Sequence, residues 1–137
     1  MTKHQVYLSL GSNLGDRQAL LLRAIDLIAE RVGMVTRQSS FIETEPWGFQ
    51  SEHRFMNAAI LCETDKTPRE VLQLTQQIEK EMGRKKKTSH CYSDRCIDID
   101  ILLYDDLTVH EPDLKIPHPL MHQRDFVMIP LKQITNP

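Results

Sequence analysis

The sequence is short of the features that would tie it to a membrane, to a disulfide scaffold or, through bulk charge, to nucleic acid. No apolar run approaches the roughly 20 residues needed to cross a bilayer. The first residues pass into a strand pattern without the apolar stretch of a signal peptide, so a cytoplasmic location without a membrane partner is expected. Only three cysteines occur, Cys62, Cys91 and Cys96, an odd number at irregular spacing that argues against a disulfide framework and for a reducing compartment. Cations do not predominate: 17 Lys and Arg stand against 19 Asp and Glu, which excludes an overtly basic nucleic-acid binder. Aromatic residues make up 6% of the chain, too few for the stacked strands of an RNA-binding sheet. No repeat, low-complexity tract or linker divides the 137 residues, and one domain over residues 1–137 is expected.

What is present is a regular succession of strand and helix signals. Gln5 to Leu10 (QVYLSL) alternates apolar and polar residues as a strand does, and Gly11, Ser12 and Asn13 are expected to turn the chain. Asp16 is placed to cap a helix in which Leu21, Ile25, Ile28 and Val32 recur at helical spacing, with Gly33 at its end. Met34 to Thr44 and Phe55 to Glu63 read as two pairing strands joined by a long connector, EPWGFQSEHR, which holds the single tryptophan, Trp47. Thr67, Pro68 and Glu70 supply a cap, a first-turn proline and a capping-box glutamate for a second helix reaching Met82, with Val71, Leu74, Ile78 and Met82 as its buried stripe. Another strand follows a cationic stretch, and the Pro-punctuated tail predicts one or two brief helices. The order β-α-β-β-α-β plus short C-terminal helices predicts an α+β fold with a ferredoxin-like antiparallel sheet and its helices packed on one face.

Asp94 to Asp106, DRCIDIDILLYDD, raises a chemical question. Alternation in a strand puts Asp98 and Asp100 on one face and Ile97, Ile99 and Ile101 on the other. Two solvated aspartates on the outer face of a half-buried strand need no ligand. Aspartate is nevertheless depleted in strands, and a pair about 6.5 Å apart can share divalent cations through oxygen ligands. Just upstream, Arg84, Lys85, Lys86, Lys87 and Arg95 form a cationic stretch that could be a solvated run at a helix C-terminus or a phosphate-binding loop. Carboxylates beside phosphate call for metal between them, and Mg²⁺ needs only one or two carboxylates when phosphates and water fill its other positions. Two further readings stay open: a ferredoxin-like module that holds nucleic acid or nucleotide without chemistry, and a zinc site built from Cys91, Cys96, His118 and His122.

Six motifs occur in a fixed order: Gly11-Ser12-Asn13, Phe55-Met56-Asn57-Ala58-Ala59, Ile78-Glu79 ahead of Gly83-Arg84, Arg95-x-x-Asp98-Ile99-Asp100, Ile116-Pro117-His118 and Arg124-x-Phe126. Together they resemble the hydroxymethyldihydropterin pyrophosphokinase family over nearly the whole chain. That resemblance implies transfer of pyrophosphate from ATP to a pterin alcohol by a monomer that takes small-molecule substrates and no nucleic acid. It implies that Asp98 and Asp100 ligate two Mg²⁺ ions, and that Arg84 and Arg95 contact the triphosphate and act in catalysis. Glu79, Lys86, His118 and Arg124 would complete the ATP site. The pterin would lie between Phe55 and Phe126, read by Asn57 and Thr44, with Trp47 over it. The chain departs from the family pattern at Cys91, Tyr92, Ser93 and Asp94, where a cation is lost and an anion gained.

Overall fold

The computed structural model describes residues 3–13, 15–44, 54–83 and 97–135. Its elements are β1 (His4–Ser12), α1 (Arg17–Arg31), β2 (Met34–Gln38), β3 (Ile42–Thr44), β4 (Phe55–Thr64), α2 (Pro68–Glu81), β5 (Asp98–Tyr104), β6 (Val109–Glu111), β7 (Leu114–Ile116), a 3-10 turn (Met121–Gln123) and α3 (Asp125–Thr135). The main sheet runs β2-β4-β1-β5, with β3 also on β4, and every pairing is antiparallel.

Both long helices start where local chemistry dictates. The Asp16 side chain accepts from the Ala19 amide at 3.2 Å. Thr67 and Glu70 close a reciprocal capping box, satisfying two amides that a helix N-terminus otherwise leaves unpaired. Gly83 ends α2 with φ +95, a conformation favoured in glycine because it lacks a Cβ. Gly33 ends α1 for another reason: a Cβ there would stand 2.2 Å from the Glu63 carbonyl oxygen, so only glycine lets the chain pass this close to β4.

Leu21, Ala24, Ile25 and Ile28 of α1, with Val71 and Ile78 of α2, meet Val6, Leu8, Leu10, Ile60, Ile99 and Ile101 from one face of the sheet. Each of the valines, leucines and isoleucines among them contributes about 1.5–3 kcal/mol on burial. The other face is covered by α3, whose Val127, Leu131 and Ile134 pack on Ala59, Leu61 and Leu102. The helices therefore do not all pack on one face, contrary to expectation, and the tail differs from the brief helices expected. It holds an 11-residue helix with Pro130 inside it, and a β6–β7 hairpin that the sequence did not signal. Arg69 of α2 pins that hairpin by pairing with Glu111 and Asp113.

Two strand boundaries also differ. Gly11 and Ser12 continue β1 instead of turning it, paired with Asn57 and Met56 of β4. Met34 to Thr44 splits into β2 and β3, because the buried Ser39 hydroxyl accepts the Ala59 amide at 2.8 Å and so replaces a main-chain rung of the ladder.

Candidate active site

The face that α3 only partly covers carries most of the candidate residues. Along β5, Asp98 and Asp100 alternate with the buried Ile99 and Ile101 and are themselves half-buried. Across the strands, Asp98 lies opposite Gly11 of β1, and Gly11 lies opposite Asn57 of β4 on its other side. Directly paired residues share a face, so Asp98, Gly11 and Asn57 form one row across three strands. Asp100 and Ser9 begin the next row, and Phe55, two residues from Asn57, lies on the same face.

Asn57 is 2% exposed, and its Nδ2 donates to the Thr44 hydroxyl at 2.6 Å. That bond orients the amide: with Nδ2 held by Thr44, Oδ1 sits above Gly11. Thr44 itself pairs with Phe55 at the end of β3. Arg17 at the start of α1 steadies the same corner, bridging Glu43 and donating to the Arg54 carbonyl at 2.9 Å.

Behind the aspartates stands a third carboxylate. Glu79 of α2 is 5% exposed, and its Oε2 accepts from the Ile99 amide at 2.8 Å. Since β5 ends the strand path, amides on its outer side have no neighbouring strand to bond. Glu79 supplies the missing acceptor at the residue between Asp98 and Asp100.

The segment ahead of α3 adds cationic and aromatic groups. His118 donates its amide to the Leu102 carbonyl at 3.0 Å, and its Nδ1 accepts from the Leu120 amide at 3.3 Å. The Arg124 guanidinium is buried and lies 5.6 Å from the centre of the Phe126 ring, a cation–π contact. Phe126 also packs against the cluster beneath α3. Among the described residues no three His, Cys, Asp or Glu side chains gather at metal-binding distance. Asp98 and Asp100 are the carboxylates that β5 presents on this face, oxygen donors of the kind a hard divalent cation takes.

Several expected residues, Trp47, Arg84, Lys86 and Arg95, together with Cys91 and Cys96 of the zinc alternative, lie outside the described residues. Cys62 is fully buried, and burial together with the nearby Glu63 raises its thiol to about 11, which keeps it protonated and unreactive. Sequence reasoning missed Gly11 as part of the site. The available signal was a glycine next to a strand pattern, which can mark a close approach of ligand or backbone as well as a turn.

An α+β domain that sets an Asp-x-Asp pair and a buried, oriented amide on one sheet face has the make-up of a small phosphate-handling transferase. The sequence profile of the 7,8-dihydro-6-hydroxymethylpterin-pyrophosphokinase family matches residues 7–136, and the chain belongs to that family. The 2-amino-4-hydroxy-6-hydroxymethyldihydropteridine pyrophosphokinase of Porphyromonas gingivalis is 50% identical over 131 residues, covering 94% of this chain and 89% of that protein. The protein of the same name from Bacillus subtilis is 40% identical over 129 residues, covering 93% and 76%. A crystal structure of Plasmodium falciparum HPPK-DHPS superposes with a TM-score of 0.76 at 18% identity, over 96% of this chain and 40% of that one, a likeness of fold. No helix among the described residues is long and apolar enough to cross a membrane.

Proposed function

We propose that the row Asp98–Gly11–Asn57 is where this pyrophosphokinase brings its two substrates together. The chain transfers pyrophosphate from ATP to the hydroxymethyl group of 6-hydroxymethyl-7,8-dihydropterin, giving the pterin diphosphate and AMP in folate biosynthesis. The observation that carries the site assignment is the shared partner: Gly11 pairs with Asp98 on one side and Asn57 on the other. At about 4.8 Å per strand step, the carboxylate and amide positions lie roughly 10 Å apart, a span that a pterin with its hydroxymethyl arm bridges.

Asp98 and Asp100 would hold two Mg²⁺ ions, whose charge would neutralise that of the phosphates. Arg84, Lys86 and Arg95 would bind the triphosphate, with Arg84 and Arg95 meeting the charge that develops on transfer. His118 and Arg124 complete the nucleotide side, and Glu79 serves it by fixing β5. On the other side Asn57, oriented by Thr44, reads donors and acceptors on the pterin edge, while Phe55, Phe126 and Trp47 cover its faces.

The strand order β2-β4-β1-β5 supports a ferredoxin-like single domain. Packing of α1 and α2 on one sheet face and of α3 on part of the other supports action as a monomer. The test is product analysis with ATP, Mg²⁺ and the pterin alcohol. Wild type forms AMP, whereas Asp98→Ala and Asp100→Ala each lose roughly a hundredfold or more in kcat, the scale of losing a main electrostatic element. Far-UV circular dichroism checks that both variants keep the fold, so that the loss reads the site and not unfolding. Normal turnover in either variant refutes the metal assignment, and Mn²⁺ binding that is present in wild type and lost in both variants would support it independently.

A further inference from the structure

Gly11 sits between the two halves of the proposed site, and its missing side chain is a measurable feature. A Cβ built there would lie 2.8 Å from the Asn57 Oδ1 and 3.4 Å from the Phe55 Cδ1. A carbon 2.8 Å from an amide oxygen is closer than packed atoms allow. The amide cannot swing aside without loss, because Nδ2 is tied to the Thr44 hydroxyl at 2.6 Å. Gly11 lies within β1, with no positive φ, so its backbone would accept alanine. What excludes a side chain here is space above the strand.

We infer that Gly11 is a specificity-determining residue for the pterin: its bare backbone is the floor under the Asn57 amide and over the gap between that amide and Asp98. An added side chain turns the amide away from the pterin edge, while the Phe55 ring, whose Cδ1 would stand 3.4 Å off, can stay in place. This rests on the site assignment above. It adds that recognition depends on an absent side chain, and that Gly11 acts through Asn57.

Calorimetry of Gly11→Ala, Asn57→Ala and the double variant tests it, with 6-hydroxymethyl-7,8-dihydropterin and, separately, a non-hydrolysable ATP analogue with Mg²⁺. Gly11→Ala is expected to weaken pterin binding at least tenfold and to change nucleotide binding by less than twofold. In the Asn57→Ala background the same substitution costs less than threefold, because the crowded oxygen is gone. Wild-type pterin affinity in Gly11→Ala overturns the inference, and so do equal losses for both ligands or additive losses in the double variant. Should Gly11→Ala alone fail to fold, the double variant recovers a folded state, and an unfolded double variant also overturns it. Undiminished pterin binding in Asn57→Ala alone refutes the site assignment instead.

Discussion

Glu79 offers the sharpest quantitative test of how the site is held. Replacing it by alanine removes the acceptor of the Ile99 amide, a group on the strand between the two aspartates. An amide left unsatisfied in the interior costs about 1–3 kcal/mol. The one buried methylene that is lost, since alanine keeps the Cβ, adds about 0.8 kcal/mol. Release of a carboxylate from a site that is 5% exposed offsets part of this. The expected loss for Glu79→Ala is therefore about 1.5–3.5 kcal/mol, or roughly 6–14 °C in Tm at about 4 °C per kcal/mol for a domain of this size.

Glu79→Gln separates the acceptor from the charge. Its side-chain oxygen can take the same bond, so the loss should fall to about 1 kcal/mol. Urea unfolding followed by far-UV circular dichroism measures both variants. The ATP analogue with Mg²⁺ is expected to bind more weakly to the alanine variant than to the glutamine variant, since only the former loosens β5, while pterin affinity stays near wild type in each. The reasoning is refuted if Glu79→Ala is within about 0.5 kcal/mol of wild type, or if glutamine is as damaging as alanine.

Two further outcomes follow from geometry away from the site. Gly33→Ala should destabilise by about 3 kcal/mol, since its Cβ meets the Glu63 carbonyl, which is fixed main chain. Gly83→Ala should cost only about 1 kcal/mol, because that position has positive φ but open space around it; chemical denaturation that ranked the two the other way would refute the close-approach argument. Asp113 provides a pH test: the bond from Arg69, opposed in part by desolvation, holds its carboxyl below the ordinary value. A depressed folded pKa contributes stability above the unfolded value, about pH 4, and that stability is lost as pH falls through the folded value. Arg69→Ala should therefore flatten the decline of Tm between pH 5 and pH 2.5, and an unaltered slope would refute the pairing.

How much of this was legible depended on how local each cause is. The α2 cap lies within four residues, Thr67 to Glu70, and could be read directly. So could the shared face of Asp98 and Asp100, since strand alternation needs no knowledge of neighbours. Glu79 was legible only through family resemblance, and its burial was not foreseen, because a glutamate on a helix is assigned to the surface unless its partner is known. Here the partner is an amide 20 residues away. The β6–β7 hairpin has three-residue strands, too short for a periodic signal, and is tied down by Arg69 from α2. In α3 the sequence argued the wrong way: Pro130 removes a helix hydrogen bond and ordinarily breaks the element. Burial of Val127, Leu131 and Ile134 on the sheet outweighs that loss.

The pairing register that forms the site row is fixed from the other side of the sheet. Leu8 and Leu10 of β1 face α1 and α2, and they can be buried only if Ser9 and Gly11 face the site. A slip of one residue would expose both leucines, at about 1.5–3 kcal/mol each, and would bring side chains up where the floor must be bare. The one irregularity in the β1–β5 register falls between Tyr7 and Leu8, beyond the aspartates. It lets Leu102 and Leu103 both meet the α3 layer without disturbing the pairing of Gly11 with Asp98. The hydrophobic core that stabilises the fold thus also sets the alignment of carboxylate, glycine and amide. Substitutions of Leu8 or Leu10 that weaken the register should therefore damage pterin recognition before they unfold the chain.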